Sequence, residues 1–366
     1  MSPDLYITST DALSSSQLPG GASLVRRVNP LDYPGWDSLL AAHPDGSFFL
    51  STAWAGVLHE TYRCSPVYFT VFKGGCLVAL LPVMEINSWL TGRRGVALPF
   101  SDACEPLGDG AMLKDTLIPE VLHYGRERDW KYFECRGGKE LFNQAQPFQT
   151  FFIHELKLLK DETHLFARVK SAARGAVRKA EKSGVTIEIS QTLEAVKRYY
   201  SLHCQTRKRH GLPPQPFAFF QNIQKYVLAR EKGIVVLARH GQNLIAGAIY
   251  FHFGETAIYK FGASDEAFQD FRGNNLVMWS AMKWYARKGM KLLHFGRTSI
   301  ANDGLRGFKL GWGAEERQTD YFRYDFRHDR FVTGKDGAVG WHNPVFRRAP
   351  DFVSRMIGAA LYRHIA

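Results

Sequence analysis

The chain has 366 residues, 45% hydrophobic and 13% aromatic, which is too long for one ordinary domain and rich enough for substantial cores. Lysine and arginine number 47 against 35 acidic residues; the +12 surplus points to an anionic partner (a phosphate-bearing cofactor, nucleic acid or a membrane surface) or, more blandly, to solubility alone. Five scattered cysteines without a CxxC argue against a disulfide framework and for a reducing cytoplasm, and neither a secretory signal nor an apolar run near the roughly 20 residues of a bilayer span is present, so any membrane substrate is expected to be met from the inner surface.

Residues 1–20 are polar, serine-rich and expected to be flexible. A strand follows at 22–28. Helices are expected at 34–42 and 52–62, anchored by Trp36 and Trp54. Two apolar runs, 67–73 and 76–84, flank Gly74-Gly75 and read as a hairpin. An edge strand at 96–100, a helix at 117–128 and strands at 131–135 and 151–158 complete the first half. A helix over 161–182 comes next. Its second half carries Arg168, Lys170, Arg174, Arg178, Lys179 and Lys182 against Glu181 alone; such a face is solvated or meets an anion. A strand at 185–190, helices at 193–208 and 216–232, and a hairpin over 234–239 and 244–253 lead to the stretch around which the chain is organised.

That stretch runs from Glu255 to Trp312. Ala257, Tyr259 and Phe261 alternate as a strand. Arg272-Gly273-Asn274-Asn275 precedes a helix over 276–287, stopped by Gly289, and Leu292, His294 and Gly296 open a second strand. The start of such a helix offers unpaired amides and partial positive charge to an anion. Arg297 lies at a strand end, and Arg306 and Lys309 lie three apart on a short helix; these cations suit an anion or a solvated face. His294 reads as a core histidine or a general base. The segment Thr206 to Pro214, with Arg207 and His210, reads as a helix end or a lid. A strand at 315–324 is expected to close the sheet, and 344–364 to form a basic amphipathic helix, packed on its own domain or laid on lipid.

The halves repeat. LVALLPV at 77–83 precedes LIAGAIY at 244–250 by 167 positions, and WKYFECRG at 130–137 precedes MKLLHFGR at 290–297 by 160, in the same order. Two mixed-sheet α/β units packed together are expected. There is no Walker A loop, GxSxG elbow, HExxH or paired Cys/His spacing, so no bound metal is expected.

Taken jointly, GSFFLSTAW (46–54), ALPFSDACEP (97–106), RGAVRKAEKSGV (174–185), TRKRHGLPPQP (206–216), IAGAIYFHFGETAIYKFGAS (245–264) and KGMKLLHFGRTSIANDGLRGFKLGWGAEE (288–316) resemble the FemAB-like branch of the GNAT acyltransferase superfamily, with its exopolysaccharide- and peptidoglycan-associated members. The resemblance implies an α/β fold of two tandem GNAT-like domains packed together, here 21–158 and 159–330, the latter catalytic and carrying the basic helix 161–182, followed by a helical tail at 331–366. It implies transfer of an acyl or aminoacyl group to an amine or hydroxyl of a cell-envelope saccharide or lipid-linked precursor. Acyl-CoA or aminoacyl-tRNA would be the donor, with no tightly bound cofactor. Arg272, Gly273, Asn274 and Asn275 would hold donor phosphate, although the loop lacks the second glycine of the usual GNAT pattern. Arg207, His210, Arg297, Ser299 and Lys309 would bind substrate, and Tyr259 and His294 are the catalytic candidates. A GNAT fold that binds nucleic acid or an anionic saccharide precursor without catalysis is the alternative.

Overall fold

The computed structural model describes residues 25–142, 144–334 and 344–365; the expected flexible N-terminus and part of the tail lie outside them. In chain order the first half holds β1 (Val25–Val28), α1 (Trp36–Ala42), α2 (Thr52–Tyr62), β2 (Ser65–Lys73), β3 (Cys76–Ser88), β4 (Gly92–Val96), α3 (Gly110–Met112), α4 (Ile118–Glu127), β5 (Tyr132–Arg136) and β6 (Gln149–Lys157). The second half holds α5 (Glu162–Arg168), α6 (Ser171–Lys182), β7 (Val185–Ser190), α7 (Leu193–Arg209), α8 (Phe217–Tyr226), β8 (Gly233–His240), β9 (Asn243–Phe253), β10 (Thr256–Ser264), α9 (Gly273–Arg287), β11 (Leu292–Ser299), α10 (Asp303–Gly311), β12 (Glu315–Asp325), β13 (Arg330–Val332), α11 (Pro344–Arg348) and α12 (Asp351–Ile365).

Among the described residues the strands form one continuous mixed sheet, ordered β1-β2-β3-β4-β5-β12-β6-β11-β10-β9-β8-β7, with β13 beside β12. The order reads alike from both ends. In each half a parallel pair, β4 with β5 and β10 with β11, sits in an otherwise antiparallel set. The repeated segments fall on β3 and β9 and on β5 and β11, so the internal repeat is a repeat of topology. The halves exchange their last strands. β6 follows β5 in sequence yet pairs with β11, while β12 follows β11 yet pairs with β5. The β12–β6 ladder joins the exchanged strands at the centre.

Several expectations need correction. The strand at 315–324 does not close an edge but bridges the halves. The strand drawn at 96–100 is internal and ends at Val96, because Leu98 (φ 51) and Phe100 (φ 60) adopt left-handed backbone and turn the chain out of the sheet. The helix 161–182 is two. Val169 turns extended and buries its side chain, the Lys170 amide bonds the Gly311 carbonyl at 2.9 Å, and the Arg174 guanidinium takes the freed carbonyls of Ala167 and Val169 at 2.9 and 2.6 Å. The helix of 216–232 stops at Tyr226 in a short turn that ends at Glu231 (φ 55). The tail helix is split before Pro350, which disfavours helical backbone in the residue preceding it. Ala257, Tyr259 and Phe261 do not share one face: a β-bulge after Tyr259 sends Phe261 into the core facing α2 and α8, while Ala257 and Tyr259 face the core under α9.

Trp54, Phe219, Phe251 and Phe261 knit the core that spans both halves; Trp54 lies 6.0 Å from Phe219 and 5.8 Å from Phe251, ring to ring. This shared apolar centre holds the loop after β4 against β10.

Candidate active site

The parallel ladder of β10 and β11 is short. It pairs Thr256–Ile258 with Leu292–His294 and then opens. Both strands bulge at the opening, β10 after Tyr259 and β11 between His294 and Arg297. Gly296 has φ +71, and a Cβ there would stand 3.3 Å from the Asp102 carboxyl and from the Tyr259 carbonyl oxygen. Only glycine fits this close approach without strain. The outcome is a gap between two strands whose backbone groups no longer satisfy one another.

Buried charge fills the gap. Lys260, the bulge residue, bonds the Phe100 carbonyl at 2.6 Å and Asp102 Oδ2 at 2.8 Å, its ammonium 5.2 Å from the Phe49 ring and 5.4 Å from the Phe261 ring. Burial opposes the Asp102 carboxylate, but the Lys260 ammonium overrides it, so the carboxyl titrates below its ordinary value. Burial likewise pulls the Lys260 ammonium down, against Asp102. From the other side Lys309, only 1% exposed, donates to the carbonyls of Gly296 and Arg297 at 2.8 and 3.0 Å. Burial brings its pKa down to about 8, partly resisted by Asp102. Two ammonium groups and one carboxylate thus share a gap that the sheet holds open.

The expected site residues divide. Tyr259 lies at the bulge, its ring 5.4 Å from that of Tyr250, with its phenol pushed up to about 12 by burial; it stays protonated at neutral pH. His294 is at the opening too, but its Nδ1 accepts the Gly296 amide at 2.9 Å, which places the ring proton on Nε2, 4.0 Å from Glu155. With burial lowering its pKa to about 4, the ring is neutral and its free lone pair is taken, so it orients the bulge rather than accepts a proton. Arg297 donates to the Tyr321 hydroxyl at 3.0 Å and stacks over Phe151 at 4.4 Å, while Tyr321 donates to the Asp102 carbonyl at 2.7 Å. Ser299 ends β11 opposite Phe151. Arg207 bonds the Pro213 carbonyl and the Tyr362 hydroxyl, which ties the tail and the loop after α7 together; His210 is exposed at the end of α7. Among the described residues Arg207 has no hydrogen bond to Asp102, Lys260 or Lys309.

Asp102 and Lys260 were not among the expected residues. Both had a signal: a lysine within the apolar strand AIYKF, and an acid inside the mostly uncharged run ALPFSDA.

Beside the gap lies a groove of about 510 Å³ lined by Ala172, Ala173, Gly175, Ala176 and Lys179 of α6, Gly307, Phe308 and Gly311 of α10, and Arg272 and Asn275 at the start of α9. Small side chains leave backbone accessible on two helices. Arg272 is held left-handed (φ 57) and makes no side-chain cap, and Gly273 lets α9 press onto β9, where a Cβ would meet Ile245 at 2.9 Å. The expected phosphate loop therefore meets the expected basic helix in one concavity. A hollow of about 540 Å³, lined by Trp36, Asp37, Thr52 and Arg230 among others, has its Asp37 carboxylate paired with Lys232 and bonded to Thr52.

Comparison with known proteins bears on this arrangement. Residues 167–323 match the acetyltransferase (GNAT) domain family. A lipid II:glycine glycyltransferase of Staphylococcus haemolyticus (strain JCSC1435) is 31% identical over 98 residues, which is 25% of this chain and 23% of that protein. The chain thus matches about a quarter of that relative's length. Among solved structures, FemX superposes with a TM-score of 0.67 at 16% identity over 83% of this chain and 98% of its own. A tandem GNAT protein from the clavulanic acid biosynthesis pathway gives 0.54 at 10% identity over 82% and 98%, and L-PGS from Bacillus licheniformis 0.53 at 14% over 91% and 99%. These similarities establish a tandem GNAT fold.

Proposed function

The chain is a FemAB-like GNAT protein, and from that premise we propose that it transfers an aminoacyl or acyl group from an activated donor to an amine or hydroxyl of a peptidoglycan-type envelope precursor. The observation that carries the reading is the opening between β10 and β11, with Asp102, Lys260 and Lys309 buried in it and an anion-suited groove alongside. A purely binding role leaves unexplained the burial of a carboxylate and two ammonium groups where the strands part.

The donor phosphates lie in the groove, against Arg272, Lys179 and the first amides of α9. An aminoacyl-tRNA suits the largely basic α6 that lines it; acyl-CoA is the other donor of the same chemistry. The donor carbonyl reaches the gap. The acceptor nitrogen attacks its carbon, forming the C–N bond and a tetrahedral oxyanion. The Lys309 ammonium, with one hydrogen to spare beyond its two carbonyl bonds, stabilises that charge. The nitrogen passes its proton to the Asp102 carboxylate, which Lys260 keeps ionised, and Asp102 later releases it to water. The C–O bond of the donor ester, or the C–S bond of a thioester, breaks, and the leaving atom takes the Tyr259 phenol proton, which solvent restores. Orientation in the gap supplies on the order of 7–11 kcal/mol at best, so a weakly basic carboxylate suffices. Arg297 and Ser299, at the end of β11, receive polar parts of the acceptor.

The test is transfer followed by mass spectrometry of product, with aminoacyl-tRNA and acyl-CoA as donors and lipid-linked and soluble muropeptides as acceptors. Asp102→Asn is expected to lose roughly 10²–10⁴ in rate with its fold intact by circular dichroism. Wild-type rates in that variant, or no transfer from either donor, would overturn the proposal.

A further inference from the structure

Among the described residues six large apolar side chains stand exposed, and four of them lie on two adjoining elements: Trp89 (84%) and Leu90 (52%) at the tip of the β3–β4 hairpin, and Phe352 (66%) and Met356 (68%) on α12. The elements are fastened to each other. Ser88 Oγ meets His364 Nδ1 at 2.8 Å, Thr91 Oγ1 donates to the His364 carbonyl at 2.8 Å, Arg94 donates to the same oxygen at 2.6 Å, and the Trp89 ring stands 5.4 Å from the His364 ring. The hairpin tip is therefore held in place against the end of the helix.

The helix has two distinct faces. Ser354, Gly358 and Tyr362 are buried; Tyr362 bonds the Pro213 carbonyl at 3.1 Å, and a Cβ on Gly358 would meet the Pro214 oxygen at 2.0 Å. Phe352 and Met356 stand exposed on the side of the helix away from Ser354, Gly358 and Tyr362. At helical spacing Phe352, Met356, Ala359 and Arg363 form one outer stripe. Cations fringe it: Arg93 on the hairpin, Arg347 and Arg348 on α11, Arg355 and Arg363 on α12, all exposed. The neighbouring acid, Asp351, is paired with Lys208 at 2.9 Å.

We propose that this face docks on an anionic phospholipid surface, with Trp89 and Leu90 entering the headgroup boundary at one end and Phe352 and Met356 along the helix. A tryptophan on a braced hairpin has the amphipathic ring suited to that boundary, and an apolar stripe bordered by arginines is complementary to acidic lipid. No described helix is long and apolar enough to cross a membrane, so the contact is peripheral. A second copy of the chain fits less well, because it would bring the same arginines against each other. None of the side chains in contact is part of the proposed transfer site, so the inference holds or fails apart from that reaction.

The test is co-sedimentation of the full chain with vesicles of equal parts phosphatidylglycerol and phosphatidylcholine, and with vesicles of phosphatidylcholine alone. Two double variants, Trp89→Ser/Leu90→Ser and Phe352→Ser/Met356→Ser, are compared with wild type after their melting is shown to be unchanged. Wild type is expected to partition onto the acidic vesicles, and each variant to lose roughly tenfold in partition coefficient. Vesicle addition is expected to blue-shift the wild-type tryptophan emission, and Trp89→Phe to abolish the shift. Failure of wild type to bind acidic vesicles, equal partition of wild type and variants, or self-association without vesicle binding would overturn the proposal.

Discussion

Replacing Lys260 with methionine removes the ammonium while keeping a flexible apolar stem among Phe49, Trp54 and Phe261. Asp102 is then left buried without its 2.8 Å partner. Breaking a buried pair from one side costs about 3–5 kcal/mol. The lower end, about 3 kcal/mol, is expected here, because Arg297 also lowers the carboxyl's pKa and Lys309 is influenced by the same charge. That is a large part of the roughly 5–15 kcal/mol that holds a domain folded. The sign of the pH dependence follows. In wild type the Asp102 carboxyl titrates below its ordinary value, so the stabilisation is present above that value and is lost as pH falls through the lowered one. In the variant burial prevails and the carboxyl titrates above its ordinary value. Its protonation then favours the fold in acid, and that contribution is lost as pH rises. The stability gap between the two proteins should therefore widen from about pH 4 to about pH 7. Urea melts at both pH values measure it. A gap under about 1 kcal/mol at neutral pH, or one that does not change with pH, would refute the account of Asp102 as a buried carboxylate held ionised by Lys260.

Three further outcomes are expected. Lys309→Gln should slow transfer by roughly 10²–10³; wild-type rates should fall as pH rises past about 8, when Lys309 loses its charge, and the variant should show no such fall, as read from the pH–rate profile. Gly296→Ala puts a methyl 3.3 Å from Asp102 at φ +71, so it should cost about 1–2 kcal/mol of stability and a larger share of activity, measured by thermal melting beside kcat. Arg272→Gly relieves a left-handed arginine at φ 57, so the melting temperature should hold or rise while the donor KM rises roughly tenfold through loss of one phosphate contact, in steady-state kinetics against donor concentration.

The candidate site was half legible in the chain. The parts of the groove proposed for the donor could be read because they are local: Arg272 and Gly273 stand at the start of an apolar helix, and the charge of 168–182 is nearly all of one sign. The rest of the site depends on contacts between distant segments. Asp102 and Lys260 lie 158 positions apart and are brought together by the left-handed turn at Phe100 and the bulge after Tyr259. Neither feature alters hydrophobic periodicity enough to be read in advance. Of the two readings of His294, a core histidine or a general base, the structure favours the first: its ring accepts the Gly296 amide, a partner two residues away that a regular strand would not present.

The sequence by itself determined the repeated hairpin and βαβ order and the apolar helix that follows Arg272, because these follow from spacing along a few residues at a time. Only the tertiary structure decided that β6 and β12 change places and fuse the halves into one sheet, since any exposed strand edge presents the same backbone donors and acceptors and the choice of partner depends on what the whole core buries. It also decided where charge could be buried, because an ion pair inside a protein persists only where distant segments supply both its members and the bonds around them.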